Sequence, residues 1–458
     1  MVRKTLVSVL VASSVMSGLT SFAQDVESTL DTAEPIVQQQ SVAVLETLSD
    51  AINSAYLKNP SILAQRKSRM IADEQLKQAR SANRPQVSLS TSAGYSLSRS
   101  NTGPFGQVGP TNTTEAPQTT FGLEVRQSLW NGGRTQAAIG EAKAGVTAAE
   151  SRLFAAEQDM ILNVVTNYMD VLASESEVDI RKNNVSVLAR QVEAATDRFR
   201  VGEVTKTDVA QAEARYAGAR AQLSSSQAVL EANRAVFQQL IGHWPTQLET
   251  SSFTPKYPAD LQDAVDAAIE YNPEIALSKA GIKASEYRVR AAKGERRPDI
   301  SIVGSAGLSQ SYDDKTFENE NASVVAQLRL PLYQGGRISS QIRAASLERD
   351  QLRLQHRATE RDLIARVTRA WHSSLAASRA IEASEQQVEA AQVAFDGAEQ
   401  ELAVGLRTTL DLLDQEQELL DAKLSLIQAN RDHYIAVHQL LAAMGALTPE
   451  TLGVNVSL

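Results

Sequence analysis

Between Val87 and Ser98 the chain alternates. Val87, Leu89, Ala93, Tyr95 and Leu97 fall on one face, and Ser88, Ser90, Ser92, Ser96 and Ser98 on the other. A period of two over such a length predicts a β-strand with one apolar and one polar face. A stretch rich in Gly, Pro, Asn and Thr follows at 99–117 and reads as a loop. A return strand then sets Phe121, Leu123, Val125 and Leu129 against Glu124, Arg126 and Ser128. The same arrangement recurs further on. Ile300, Ile302, Ala306 and Leu308 form one strand; Ala326, Leu328, Leu330 and Leu332 alternate with Gln327 and Arg329 in its return. The loop between them, Tyr312 to Asn321, is shorter and acidic.

After each strand pair the period changes. No proline occurs between Phe121 and Trp244, nor between Leu332 and Thr448. Val185, Leu188, Val192, Ala195 and Phe199 step by three and four, as do Val388, Ala391, Phe395, Ala398 and Leu402. After Val201-Gly202 the pattern resumes with Val209, Ala212, Tyr216, Ala219 and Leu223. This is coiled-coil patterning. A helix from Arg134 to Arg200 would be ~100 Å long at 1.5 Å per residue, far beyond an ordinary globular helix. The glycine at 202 or 405 suits a helix C-terminus, and Thr205 or Thr207 the next N-cap. Each half therefore ends in a helical hairpin whose tip reads Val-Gly-x-x-Thr-x-x-Asp. Each half also opens with a helix, about 46–83 in the first. Asn59-Pro60 interrupts it, and Arg84-Pro85 ends it because the residue before proline avoids the α region.

The two halves are copies of one unit. Leu48, Asp50, Ala51, Ala55, Asn59, Pro60 and Ile62 recur 213 residues later as Leu261, Asp263, Ala264, Ala268, Asn272, Pro273 and Ile275. From Leu129, Gly132, Gly133 and Arg134 onward the offset is 203, giving Leu332, Gly335, Gly336 and Arg337. Val201, Gly202, Thr205 and Asp208 recur at that offset as Val404, Gly405, Thr408 and Asp411. The expected plan is a signal peptide (1–23), an N-terminal segment (24–45), a first repeat (46–242) and a linker (243–260). A second repeat (261–445) and a C-terminal segment (446–458) follow. Within the repeats, β-hairpins at 86–131 and 299–334 lead to helical hairpins with tips near 201–208 and 404–411.

Arg3 and Lys4, an apolar run to Leu19 and Ser21-Phe22-Ala23 read as a secretory signal with cleavage before Gln24. Its removal takes two positive charges and no acid, so the charge of −9 becomes −9 − 2 = −11. An acidic chain without a basic run is a poor holder of nucleic-acid phosphates. With no cysteine, the exported chain has neither disulfides nor a lipid-modified N-terminal cysteine. After the signal no run of 18 apolar residues occurs, so a membrane would have to be crossed by strands. Four strands cannot span lipid alone, because an open edge has no water to satisfy it. Strands from other copies must close the wall, and strand physics leaves eight or twelve open.

No catalytic constellation emerges. His243, His356, His372, His433 and His438 form no H-E-x-x-H, and there is no phosphate loop or nucleophile elbow. His433, aligned with Leu230 on a heptad seam, reads as packed or hydrogen-bonded between helices rather than as a metal ligand. No cofactor is expected.

The order helix, strand, loop, strand, long helical hairpin, given twice, resembles the TolC family of outer-membrane efflux proteins. So do the early Asn-Pro pairs, L-W-N-G-G-R at 129–134, L-Y-Q-G-G-R at 332–337, and the two hairpin tips. The resemblance covers about 46–445. It implies a mixed α and β membrane protein: a homotrimer whose four strands per chain build a 12-stranded barrel, continued by a helical coiled-coil tunnel across the periplasm of a Gram-negative bacterium. It implies a passive exit duct for efflux or type I secretion, not an enzyme, opened by a periplasmic adaptor and an inner-membrane ABC or RND-type transporter. By motif position, Asp208 and Arg407 match the family's closing network, and Asp411 and Asp414 its carboxylate rings at the constriction. Leu402 stands where a member of the family has a tyrosine, which bears on one closing hydrogen bond. Val201, Gly202, Thr205, Val404, Gly405 and Thr408 are assigned to adaptor docking, and Gly132, Gly133, Gly335 and Gly336 to the barrel-to-tunnel turns. The resemblance also places 24–45, 243–260 and 446–458 in a belt around the tunnel. Asp208 and Asp411 also suit plain helix capping at their positions. The competing reading is a periplasmic coiled-coil adaptor or structural protein without a barrel. An adaptor, however, carries one hairpin flanked by small β domains, not a duplicated unit. The exported substrate, whether drug, small molecule or protein, is not legible.

Overall fold

The computed structural model describes residues 45–102, 108–250, 257–312 and 316–454. The signal peptide, residues 24–44 of the N-terminal segment, 251–256 of the linker and 455–458 lie outside the described residues, as do 103–107 and 313–315.

Each repeat opens with two short helices, α1 (Leu48–Lys58) and α2 (Pro60–Ser81) in the first, α5 (Leu261–Tyr271) and α6 (Pro273–Gly294) in the second. The Asn-Pro pair separates them for a local reason. Asn59 Oδ1 accepts from Ser61 N at 2.9 Å and Asn272 Oδ1 from Glu274 N at 2.9 Å, so each asparagine caps the second helix while proline fills its first position. The same side chains reach outward. Asn59 Nδ2 donates to Leu240 O and Asn272 Nδ2 to Ala443 O, both at 2.9 Å, tying the bend to the end of a long helix in each copy.

The strands β1 (Gln86–Thr102), β2 (Val108–Asn131), β3 (Asp299–Tyr312) and β4 (Thr316–Arg329) form one antiparallel sheet in sequence order. Its register sets Val87 opposite Val125, Leu89 opposite Leu123, Phe121 opposite Leu308 and Ala306 opposite Ala322, so one apolar face runs across all four strands. Three expectations are corrected. The segment 99–117 is mostly strand, because its Thr-rich residues pair with β1 up to Thr102↔Val108. Pro110 and Pro117 are tolerated because β3 pairs with β2 only from Gln118 onward. Likewise Tyr312 to Asn321 is largely paired, with β4 starting at Thr316. At the other end β4 stops at Arg329, so Leu330 and Leu332 are not in the strand; Pro331 cannot donate to a ladder.

The helices that follow, α3 (Arg134–Arg200) and α7 (Arg337–Ala403), each have 67 residues; their returns, α4 (Lys206–Ile241) and α8 (Thr409–Met444), have 36 each. Along the hairpin seams Leu188, Ala195, Ala391 and Ala398 are buried, whereas Phe199, next to the tip, is exposed. The largest apolar cluster sits midway along α3, where Ile161, Val164 and Tyr168 meet Ile52, Phe237, Leu248 and Leu447. A second joins Val265 and Ile275 to Leu363, Val367 and Leu440. Segments outside the repeats close over the first cluster: Leu248 of the linker bridges Glu46, at the start of the first repeat, in parallel, and Leu452 and Val454 are buried there. No helix among the described residues is long and apolar enough to cross a membrane.

Candidate gate, docking tips and barrel-to-tunnel turns

The two tips are built alike. After α3, Gly202 takes φ +85°, its N–H reaches Phe199 O at 3.0 Å, and Glu203 N reaches Arg198 O at 2.9 Å. After α7, Gly405 takes φ +79°, with Gly405 N to Leu402 O at 3.1 Å and Leu406 N to Glu401 O at 2.9 Å. The left-handed residue closes the last helical carbonyls, a conformation that favours glycine. Val201, Val404 and Leu406 protrude into solvent at these turns. Thr205 and Thr408 start the return helices through reciprocal capping boxes.

Those boxes use two of the four residues expected at a gate. Asp208 Oδ2 accepts from Thr205 N at 2.8 Å and Thr205 Oγ1 at 2.9 Å. Asp411 Oδ2 accepts from Thr408 N at 3.0 Å and Thr408 Oγ1 at 2.7 Å. The Thr408 hydroxyl and amide, with a smaller contribution from the Arg407 charge, hold the Asp411 carboxyl below its usual range. Within one chain Arg407 does not meet Asp208; its guanidinium pairs with Glu401 across its own turn. Asp414 faces the other hairpin and pairs with Arg215 of α4 at 2.7 Å. One further residue is marked in the sequence pattern. Glu416, buried beside Asn184 of α3 at 3.0 Å, interrupts the apolar run Leu412, Leu413, Leu419, Leu420, and a carboxylate in a seam is itself conspicuous. Arg215 and Glu401 carried no such signal.

At the turns from sheet to long helix, Gly132 and Gly133 have φ +71° and +86°, Gly335 and Gly336 φ +56° and +83°. Gly133 and Gly336 are N-caps without side chains. In the first copy Asn131 does the capping, its Oδ1 accepting from Thr135 N at 3.2 Å. Gly132 is also pressed against α6, where a Cβ would lie 2.4 Å from Gly294 O. Arg297 donates to Gly132 O at 3.3 Å and Arg134 pairs with Asp299, so both repeats are joined where sheet gives way to helix. Gly335 and Gly336 have no such neighbour. His433 is half-buried with Nδ1 unpartnered, and no three His, Cys, Asp or Glu side chains converge as a metal site among the described residues.

The profile of the family described as outer membrane efflux protein matches residues 51–243 and 264–446, one match per repeat. The chain belongs to this family. It is 32% identical over 417 residues to the outer membrane efflux protein BepC of Brucella suis, covering 91% of this chain and 89% of that protein. It is 26% identical over 424 residues to the outer membrane protein TolC of Vibrio cholerae, covering 90% and 94%. Among solved structures, the Campylobacter jejuni CmeC outer membrane channel superposes with a TM-score of 0.76 at 17% identity, covering 87% of this chain and 85% of that one. Members of the family are channel and transport proteins. The protein is accordingly an outer-membrane exit duct for efflux or secretion in a Gram-negative bacterium. The reading as an adaptor or scaffold without a barrel is not favoured.

Proposed function

We propose that three copies close into a twelve-stranded barrel and a continuous helical tunnel, with the hairpin tips as gate and docking point. The carrying observation is that contacts made between repeats inside one chain lack their counterparts. β2 pairs with β3, but β4 and β1 are free edges. Helix α3 packs against both α2 and α6, whereas among the described residues α7 packs against α6 with no comparable contact to α2. At equivalent positions Ala144 and Ser151 of α3 are 7% and 8% exposed, while Leu347 and Leu354 of α7 are 69% and 65% exposed. On α2, Leu63, Met70 and Ile71 are also uncovered. A neighbouring copy that repeats the internal contacts pairs β4 with β1, α7 with α2, and α7 with α4. In lipid such closure is compulsory, since an open strand edge has no solvent to satisfy it. Eight strands would close with two copies; the family resemblance favours three.

The apolar sheet face meets outer-membrane lipid and the serine-rich face lines the lumen. At the far end Val201, Gly202, Thr205, Val404, Gly405 and Thr408 present the surface for a periplasmic adaptor, which couples the duct to an inner-membrane ABC or RND-type transporter. Rings of Asp411 and Asp414 around the axis would favour cations at the constriction. Planar-bilayer conductance of the detergent-extracted protein, with its mass measured in parallel, tests the reading. A trimer giving small, cation-selective, mostly closed channels supports it; a non-conducting monomer overturns it.

A further inference from the structure

Glu416 is the most buried carboxylate on the tunnel helices, 6% exposed, and it lies at the boundary between the two hairpins. Its Oε1 accepts from Asn184 Nδ2 of α3 at 3.0 Å. Its Oε2 is sealed from solvent with no hydrogen-bond partner. The surrounding cleft, between α3, α7 and α8, is walled by Ile180, Val187, Phe395, Leu419 and Leu420. Asn183 of α3 and three further charged or polar groups complete the surroundings. Lys423 of α8 lines the cleft, α7 contributes Gln392 beside Phe395, and Arg190 of α3 acts from a distance. An ionised carboxylate with one oxygen sealed in apolar surroundings carries an uncompensated desolvation cost; a proton on that oxygen removes the charge and leaves the Asn184 bond intact.

We propose that Glu416 and Asn184 form a proton-controlled latch between the hairpins, in which the protonated acid holds α8 against α3 and ionisation loosens the contact. Burial pushes the Glu416 carboxyl up to about 7, against the opposing pull of the Asn184 donor and the Arg190 charge. The sign follows from linkage. A carboxyl that titrates higher when the helices are packed binds its proton more tightly in that state. Packing is therefore favoured at low pH, and the advantage is lost as pH rises through about 7. A difference of this size between packed and separated states moves their ratio by roughly a hundredfold. As α8 carries Asp411 and Asp414 to the tip, the latch would bias the gate towards closure in acid. That consequence rests on the gate reading above; the latch itself involves helices of one copy only.

The experiment uses the full chain in detergent, followed by amide hydrogen exchange corrected for intrinsic rates and by the infrared band of protonated carboxyls. Between about pH 4.5 and about pH 8 the wild type should lose the band and the protection of α8 near Glu416. Glu416→Gln, which mimics the protonated acid, should lack the band and stay protected throughout. Asn184→Ala should already be unprotected in acid, and the exposed neighbour variant Glu418→Gln should behave as wild type. A pH-independent wild type, or a pH step that survives in Glu416→Gln, overturns the latch. Should Glu416→Gln fail to fold, unchanged acid protection in Asn184→Ala overturns it equally. Bilayer conductance over the same range should rise with pH; a flat conductance beside a pH-dependent exchange step overturns the coupling to the gate while upholding the latch.

Discussion

Arg215 of α4 and Asp414 of α8 form an ion pair at 2.7 Å that spans the two hairpins of one chain. Both side chains are substantially exposed, so the pair stabilises the fold by no more than about 0.5 kcal/mol. Its importance is positional: it occupies a carboxylate that the ring reading places at the constriction. Arg215→Ala should therefore free Asp414 and strengthen block by multivalent cations, and Asp414→Ala should weaken it, both with unchanged thermal stability. Single-channel recording checks the pair of variants. Equal block in both would show that Asp414 only links hairpins.

Asp411 needs a gentler substitution, because its carboxylate caps α8. Asp411→Ala removes the capping-box acceptor and the charge together and should loosen the first turn of α8. Asp411→Asn keeps an oxygen for Thr408 N while removing the charge. Cation selectivity should fall in Asp411→Asn with little change in the melting curve. Since the Asp411 carboxyl titrates below its usual range, its cap contribution is present at neutral pH and is lost only as pH falls through that lowered value.

The glycines at tips and turns should fail differently. At Gly202 and Gly405 a Cβ would meet nothing within 4 Å, so substitution strains only the left-handed backbone, by about 1–2 kcal/mol. A bulky residue there should spare barrel insertion and abolish export, read out as lost drug resistance with a normal amount of heat-resistant oligomer in the membrane. Gly132→Ala adds a clash with Gly294 O to the same strain. It should reduce the amount of inserted protein itself.

Ring closure can be trapped chemically. The bond between Asn184 and Glu416 joins the first hairpin to the second; the offset of 203 maps these positions onto Gln387 and Glu213. Closure by repetition of the internal contacts brings Gln387 of one copy beside Glu213 of the next. With no native cysteine to compete, the double variant Glu213→Cys, Gln387→Cys should oxidise to covalently linked oligomers ending at three chains. A product consisting only of monomers with an internal disulfide would contradict this closure.

Tyr168 is completely buried, and its hydroxyl lies 2.8 Å from both Glu46 O and Glu249 O. Tyr168→Phe removes this donor from Glu249 O at small change in volume, while Glu46 O keeps Glu249 N at 3.0 Å. A loss of about 1–3 kcal/mol is expected in thermal or denaturant unfolding. Increased hydrogen exchange should centre on residues 45–48 and 246–250.

The chain's own pattern of residues determined the first long helix to the residue. Arg134–Arg200 is bounded by Gly132-Gly133 and Val201-Gly202, and the intervening 3-and-4 spacing lacks any proline; local punctuation of this strength leaves tertiary packing little to decide. It determined the duplication and the alternating strands as well, because both depend only on order along the chain. Tertiary structure decided where the strands end. The Thr- and Gly-rich 99–117 suits a loop or an edge strand equally, and only the β1–β2 register resolves it. It also decided how the tip charges are spent. Asp208 and Asp411 cap helices, Arg407 turns to Glu401, and Asp414 to Arg215, choices set by which hairpin lies beside which. Glu416 shows the division most clearly: sequence places a carboxylate in an apolar seam, but only the packing of α3 against α8 seals one of its oxygens from water.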